Sequence, residues 1–204
     1  MTFSEVVTEI CSRVSDPEKD TYGDRATSLF YAGISALVSG GEWTVEDIPY
    51  LYRTKTILSK SKNENDELQI SGDTNELDDG LNILKIVDIV GGKTVDEEFQ
   101  PEIKYRRITH SDFNQLSVDN EYGPHSDERF YLIDLKGTDT QIVKFILSAD
   151  DNMASTRYKV SYIVAPLESD FTDDTQLSER FSDSFIWKVI DFAEAKIKKE
   201  IQGA

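Results

Sequence analysis

The sequence predicts an α+β protein, and three observations along its 204 residues carry that expectation. Apolar residues recur at helical spacing at both chain ends, alternate as strands do through the middle, and are separated on the N-terminal side by a polar, turn-rich stretch. The arrangement expected is a helical layer built from both ends, with a mostly antiparallel β segment, a small sheet or sandwich, inserted between them. In residue terms, 1–58 should hold N-terminal helices and 59–80 a polar linker or loop. Residues 81–165 should form the inserted β domain, and 166–204 an acidic loop with a C-terminal helix that completes the helical domain.

Thr2 and Glu5 have the spacing of a capping box, followed by Phe3, Val6, Val7, Ile10, Cys11 and Val14 at steps of three and four, so the chain opens on a helix. Asp16 and Pro17 end it. A second helix is predicted from Asp24 to Ser39, with Ala26, Leu29, Phe30, Gly33 and Leu37 inward and Gly40 and Gly41 as its stop. Ala32, Gly33 and Ala36 are small enough for another helix to approach closely. Thr44 to Asp47 offers another cap, and PYLYRTKTIL, from Pro49 to Leu58, reads as a third helix with proline in its first turn.

Residues 59–80, SKSKNENDELQISGDTNELDDG, are polar, with at most one short strand at Leu68 to Ile70. Strand patterns follow in LNILKIVDIV, IKYRRI, FYLIDL, QIVKFIL and RYKVSYIVA, in the last of which Tyr158, Val160, Tyr162 and Val164 share a face. KGTDT, residues 136–140, reads as a hairpin turn, and SDFNQL after His110 as a single helical turn. An acidic loop, ESDFTDDTQ, leads from Pro166 to the last helix.

Composition narrows the function classes. The lone cysteine, Cys11, forms no intrachain bridge and falls on an apolar helix face, as a core thiol does. No apolar run reaches the roughly 18 residues of a membrane span, and MTFSEVVTEI lacks the basic and hydrophobic segments of a signal peptide. A net charge of -17, from 39 acidic and 22 basic residues, disfavours binding to nucleic acid or anionic lipid.

Motifs for chemistry fail on spacing. GGKT, residues 91–94, follows a strand, but a phosphate-binding loop needs a glycine where Val87 stands and must open a helix, whereas TVDEEFQPEI has no helical stripe; a hairpin turn is expected. Counted from Asp73 as a calcium loop, DTNELDDG places Leu77 and Asp78 where an oxygen ligand and glycine belong, and Leu84 where glutamate belongs. His110 and His125 have no neighbouring cysteine and no paired histidine spacing, and no nucleophile elbow occurs. No catalytic, cofactor-binding or metal residue is therefore assigned, and no cofactor is expected.

The terminal run FSDSFIWKVIDFAEAKIKKEI, residues 181–201, carries more apolar surface than one face accommodates. At about 100° per residue, Ile186, Val189, Ile190, Ala193, Ile197 and Ile201 form one core stripe. Phe185 and Phe192 lie roughly 110° to one side of it and Trp187 about as far to the other. Ser182 or Asp183 should cap the helix, and Lys196, Lys198 and Lys199 should sit at its C-terminal end, where the helix dipole favours cations. Phe185, Trp187, Phe192, Lys196 and Lys199 are the candidate subunit or partner interface.

Taken in order, TFSEVVTEICSRVSD, RATSLFYAGISALVSG, VEDIPYLY, YKVSYIVAP and SERFSDSFIWKVIDFAEAKIKKEI resemble the head-to-tail adaptor, or connector, proteins of tailed bacteriophages. The long strand insertion is closer to the neck-ring proteins of short-tailed phages, including crAss-like ones. The resemblance implies a non-enzymatic virion protein at the head-tail junction, assembled in the host cytoplasm. It would form a homo-oligomeric ring, commonly of twelve copies, that binds the portal protein above and a tail or ring protein below. DNA would pass through the channel without specific binding. Two other readings fit the same residues: a β module that binds carbohydrate or protein on a helical platform, and, more remotely, a hydrolase.

Overall fold

The computed structural model describes residues 1–16, 18–41, 43–58, 67–69, 77, 82–95, 98–112, 129–136, 140–146 and 157–203, and structural statements below refer to these. The fold is α+β, with helices at both chain ends and strands between. It divides into two compact units: a discontinuous one from Met1–Tyr52 and Val164–Ala204, and one from Arg53–Ile163.

The first unit contains α1 (Phe3–Arg13), α2 (Gly23–Gly40) and α3 (Asp183–Gly203). The capping box of α1 forms as its spacing predicts: Thr2 Oγ1 accepts from Glu5 N at 3.2 Å, and Thr2 N donates to Glu5 Oε2 at 2.7 Å. Phe3, Val6, Val7, Ile10 and Cys11 are buried along one face. The chain leaves α1 through Ser15 in the left-handed region, at φ 66°. Asp16 Oδ2 then accepts from Thr21 N and Tyr22 N, which leads the backbone into α2.

At Gly33, α2 and α3 come close together. A Cβ there would lie 3.1 Å from Phe192 Cδ1 and 3.1 Å from Val189 Cγ1. Ile34 and Val38 complete the buried face of α2, while Ala32 and Ala36, expected near another helix, point to solvent, and Leu37 is only half-buried. Gly41, at φ 79°, closes α2 in the left-handed conformation that glycine adopts without strain.

The expected third helix does not form. Thr44 and Asp47 cap only a short 3-10 turn (Val45–Asp47), and Ile48 and Leu51 enter the core of the first unit. Tyr52–Leu58 is instead strand β1. Pro49 disfavours helical backbone at Ile48, and the β-branched Thr54, Thr56 and Ile57 suit a pleated surface beside another strand. The boundary between the units accordingly falls at residue 52 rather than 58.

The second unit is a single sheet of seven strands in the order β1-β7-β3-β4-β5-β6-β2, not a sandwich. The remaining strands are β2 (Glu67–Gln69), β3 (Ile83–Val95), β4 (Glu98–Arg107), β5 (Arg129–Lys136), β6 (Thr140–Ile146) and β7 (Arg157–Val164). The sheet is mixed: β2–β6, β3–β4 and β5–β6 pair antiparallel, but β4 and β5 pair parallel, with Tyr105 opposite Arg129. The first and last strands in sequence are neighbours in the sheet. An insertion whose entering and leaving strands are paired fits between two halves of a helical unit with no long return connection.

GGKT is not a turn. It continues β3, with a register shift between Gly91 and Gly92 that leaves Glu102 as the extra residue opposite, next to Pro101. Gly91 is required there because the Tyr105 ring lies across it; a Cβ would fall 2.8 Å from Tyr105 Cε2. Tyr105 in turn meets Tyr158 edge to face at 5.5 Å. The inward face read in the last strand is buried as expected, at Tyr158, Val160, Tyr162 and Val164.

The strand expected at Leu68 to Ile70 is β2, set one residue earlier, and the rest of the 59–80 stretch lies outside the described residues except Leu77. The turn residues 137–139 also lie outside them, while Lys136 pairs with Thr140 on either side. Of the single helical turn expected after His110, residues 110–112 are helical and the remainder lies outside.

Candidate functional site

The site builds from the start of α3. Ser182 is its cap: Ser182 Oγ accepts from Phe185 N at 3.2 Å and donates to Asp47 Oδ1 at 2.5 Å, while Ser182 N donates to Asp47 O at 3.0 Å. One carboxylate thus ties the 3-10 turn after α2 to the start of the closing helix. The bond from Ser182, and then those from Thr44, hold the Asp47 carboxyl below its ordinary pKa.

Ile186, Val189, Ile190, Ala193 and Ile197 are buried, as the predicted stripe requires. Ile201 is not; α3 runs on to Gly203, and this residue is 44% exposed. The helix also outruns the three lysines, so they stand before its last turn instead of within it.

The candidate interface residues separate into different environments. Phe185 is a correction: it is 1% exposed and stacks on Phe181, ring centroids 5.8 Å apart, inside the first unit. What covers it is the segment before α3. That acidic stretch carries its own anchors, Phe171, Leu177 and Phe181, all buried, and joins an aromatic cluster with Phe3, Phe30, Tyr31 and Tyr50. Arg180 lies over Tyr50 at 4.2 Å and donates to Asp170 O at 3.2 Å. Backbone bonds fasten the same stretch to the N-terminus, from Phe3 N to Thr175 O and from Leu177 N to Met1 O, each 2.9 Å.

Phe192 is half-buried against Gly33, with Lys196 Nζ 5.4 Å from its ring centroid. Lys199 is exposed. Trp187 is 40% exposed, and the Arg13 guanidinium lies 5.2 Å from its ring centroid.

Arg13 is the residue that the sequence reading missed. Its Nε donates to Glu9 Oε1 at 2.8 Å, and its Nη1 donates to Asp191 Oδ1 at 2.8 Å and Glu194 Oε2 at 3.0 Å, joining α1 to α3. Lys198 Nζ donates to Glu194 Oε1 at 2.5 Å from the other side. Hydrogen bonds from Lys198 first and Arg13 second lower the Glu194 pKa. The local signals, Glu9 with Arg13 and Glu194 with Lys198 at one-turn spacing, are visible in sequence; their meeting across two helices is not. Arg25 forms a second link, from α2, by donating both Nε and Nη2 to Glu200.

In the second unit, His110 Nε2 and Asp134 Oδ1 are 3.0 Å apart, with side chains 65% and 34% exposed. His125 and all of the DTNELDDG stretch but Leu77 lie outside the described residues. Among the described residues no group of three or more His, Cys, Asp or Glu is placed to hold a metal ion, and no helix is long and apolar enough to cross a membrane.

Among the described residues, the outer flank of α3 presents an exposed tryptophan and an exposed isoleucine that bracket a charged network. Comparison with protein-family models and with curated proteins finds no match to this chain.

Proposed function

We propose that the chain is a non-enzymatic structural protein of a tailed-phage virion, a head-to-tail adaptor whose copies form a ring, twelve-fold in the commonest form, between the portal protein and the adjoining tail or ring protein. It would be assembled in the host cytoplasm and reside in the virion neck. The observation that carries the reading is the closure of the helical unit by both chain ends around an inserted sheet, the element order on which the resemblance to connector proteins rests. Exposed Trp187 at the flank of a well-anchored helix supports it, since subunits of a ring must offer apolar surface to neighbours without losing their own core. The charge of -17 suits a channel wall that DNA slides past, because a basic wall would hold the phosphates.

Co-expression with the portal protein encoded in the same genome tests the proposal. The expected product is a stoichiometric ring complex, seen by native mass measurement and by imaging. Persistent failure to co-assemble under virion-like ionic conditions would overturn it. A channel lined by basic groups, with the carboxylates facing outward, would overturn the electrostatic part alone.

A further inference from the structure

The exposed flank of α3 has a symmetry that the core stripe lacks. On a helix turning about 100° per residue, Trp187, Asp191, Glu194, Lys198 and Ile201 fall within an arc of about 80°. Trp187 precedes Glu194 by two turns and Ile201 follows it by two, so the exposed apolar groups are balanced about that residue. Between them the charges are opposed in sign, Asp191 on the N-terminal side and Lys198 on the C-terminal side. Both apolar groups are open, at 40% and 44% exposure.

A face balanced in this way complements itself. Turn a second copy end for end about Glu194, and its Ile201 lies at the level of Trp187, while its Lys198 comes within about one residue's rise, 1.5 Å, of the level of Asp191. Trp187 then meets Ile201 of the other copy, and Asp191 faces Lys198 in opposite sign, each of these charges being also held within its own chain, Asp191 by Arg13 and Lys198 by Glu194. The two Glu194 carboxylates approach at the centre, but each already accepts from Arg13 and Lys198 of its own chain. From these relations we infer that the free chain pairs two-fold through antiparallel α3 helices, with a second copy as the occupant of the Trp187 flank. An interface of this isologous kind closes on itself and stops at two copies. It would keep the flank covered until a larger surface displaces it. The inference does not rest on the adaptor reading.

The test uses the full chain alone, without a portal protein. Sedimentation and light scattering should give about twice the chain mass of 23.1 kDa at high concentration, dissociating on dilution. W187E and I201E should each raise the dissociation constant at least tenfold while leaving a cooperative unfolding transition, because both side chains stand outside the core. Orientation is read by oxidative cross-linking, for which the native Cys11 thiol is buried and silent. A mixture of W187C and I201C should cross-link, and W187C alone should not, since its two copies would lie about 21 Å apart along the helices. A monomeric mass at every concentration would overturn the pairing. So would a dimer in which W187C links to itself, or one in which neither combination links.

Discussion

Enlarging Gly33 probes the packing on which the helical unit depends. Alanine would place a Cβ 3.1 Å from both Phe192 and Val189, which asks each neighbour to yield by a few tenths of an ångström. Against that cost stands the better helix preference of alanine over glycine, about 1 kcal/mol in a helix interior. The two nearly offset, so G33A should fall within about 1 kcal/mol of the parent. Valine adds two further methyl groups at the same point, and overpacking of this kind costs about 1–3 kcal/mol, with little propensity gain to offset it. G33V should therefore lose about 2 kcal/mol. In the G33V background, Phe192→Ala should cost less than it does alone, with a coupling of about 1 kcal/mol or more between the two sites. The assay is urea denaturation followed by intrinsic fluorescence. Both tryptophans of the chain, Trp43 and Trp187, belong to the first unit, so the signal reports on that unit directly. A G33V protein as stable as the parent, or additive costs in the double variant, would show that α2 and α3 do not meet at this position.

In acid, the first unit should weaken as pH falls. Asp47 and Glu194 have lowered pKa values in the folded state, so the unfolded chain binds more protons in that range. Their contribution is fully present above the ordinary carboxylate range, near pH 4, and is lost as pH drops through the folded values; D47N should flatten this acid limb in fluorescence-monitored unfolding. Arg13→Met should cost about 1 kcal/mol and shift Trp187 emission, with the loss shrinking at high salt because the ion pairs it removes are partly solvated. Gly91→Ala should destabilise the second unit by about 1–3 kcal/mol, since its Cβ meets Tyr105 at 2.8 Å. Amide exchange in β3 and β4 should quicken, and the tryptophan signal of the first unit should not change.

Local signals were legible where the physics is local. The capping box of α1, the core stripe of α3 as far as Ile197 and the buried face of β7 follow from spacing alone, whereas Ile201, assigned to the same stripe, is exposed. Tyr52–Leu58 was not legible as a strand, because a short stretch of mixed polar and apolar residues after a proline suits either structure until a neighbouring strand selects one. GGKT misled for a related reason: paired glycines usually mark a turn, but here one of them yields space to a tyrosine ring on the next strand. On α3, helical geometry put Phe185 and Trp187 at comparable distances from the stripe. Only the fold of 165–182, anchored by Phe171 and Phe181, buries the first, and no pattern within α3 could have revealed that. The same holds for Arg13, whose three carboxylate partners come from two helices at opposite ends of the chain.

Imaging the neck of tailed-phage particles assembled in the presence of this chain tests the adaptor proposal most directly. The expected result is a ring of this protein between portal and tail, with the three-helix unit recognisable in every copy and the outer flank of α3 at a contact. Purified, infectious particles that contain no copy of the chain would contradict it.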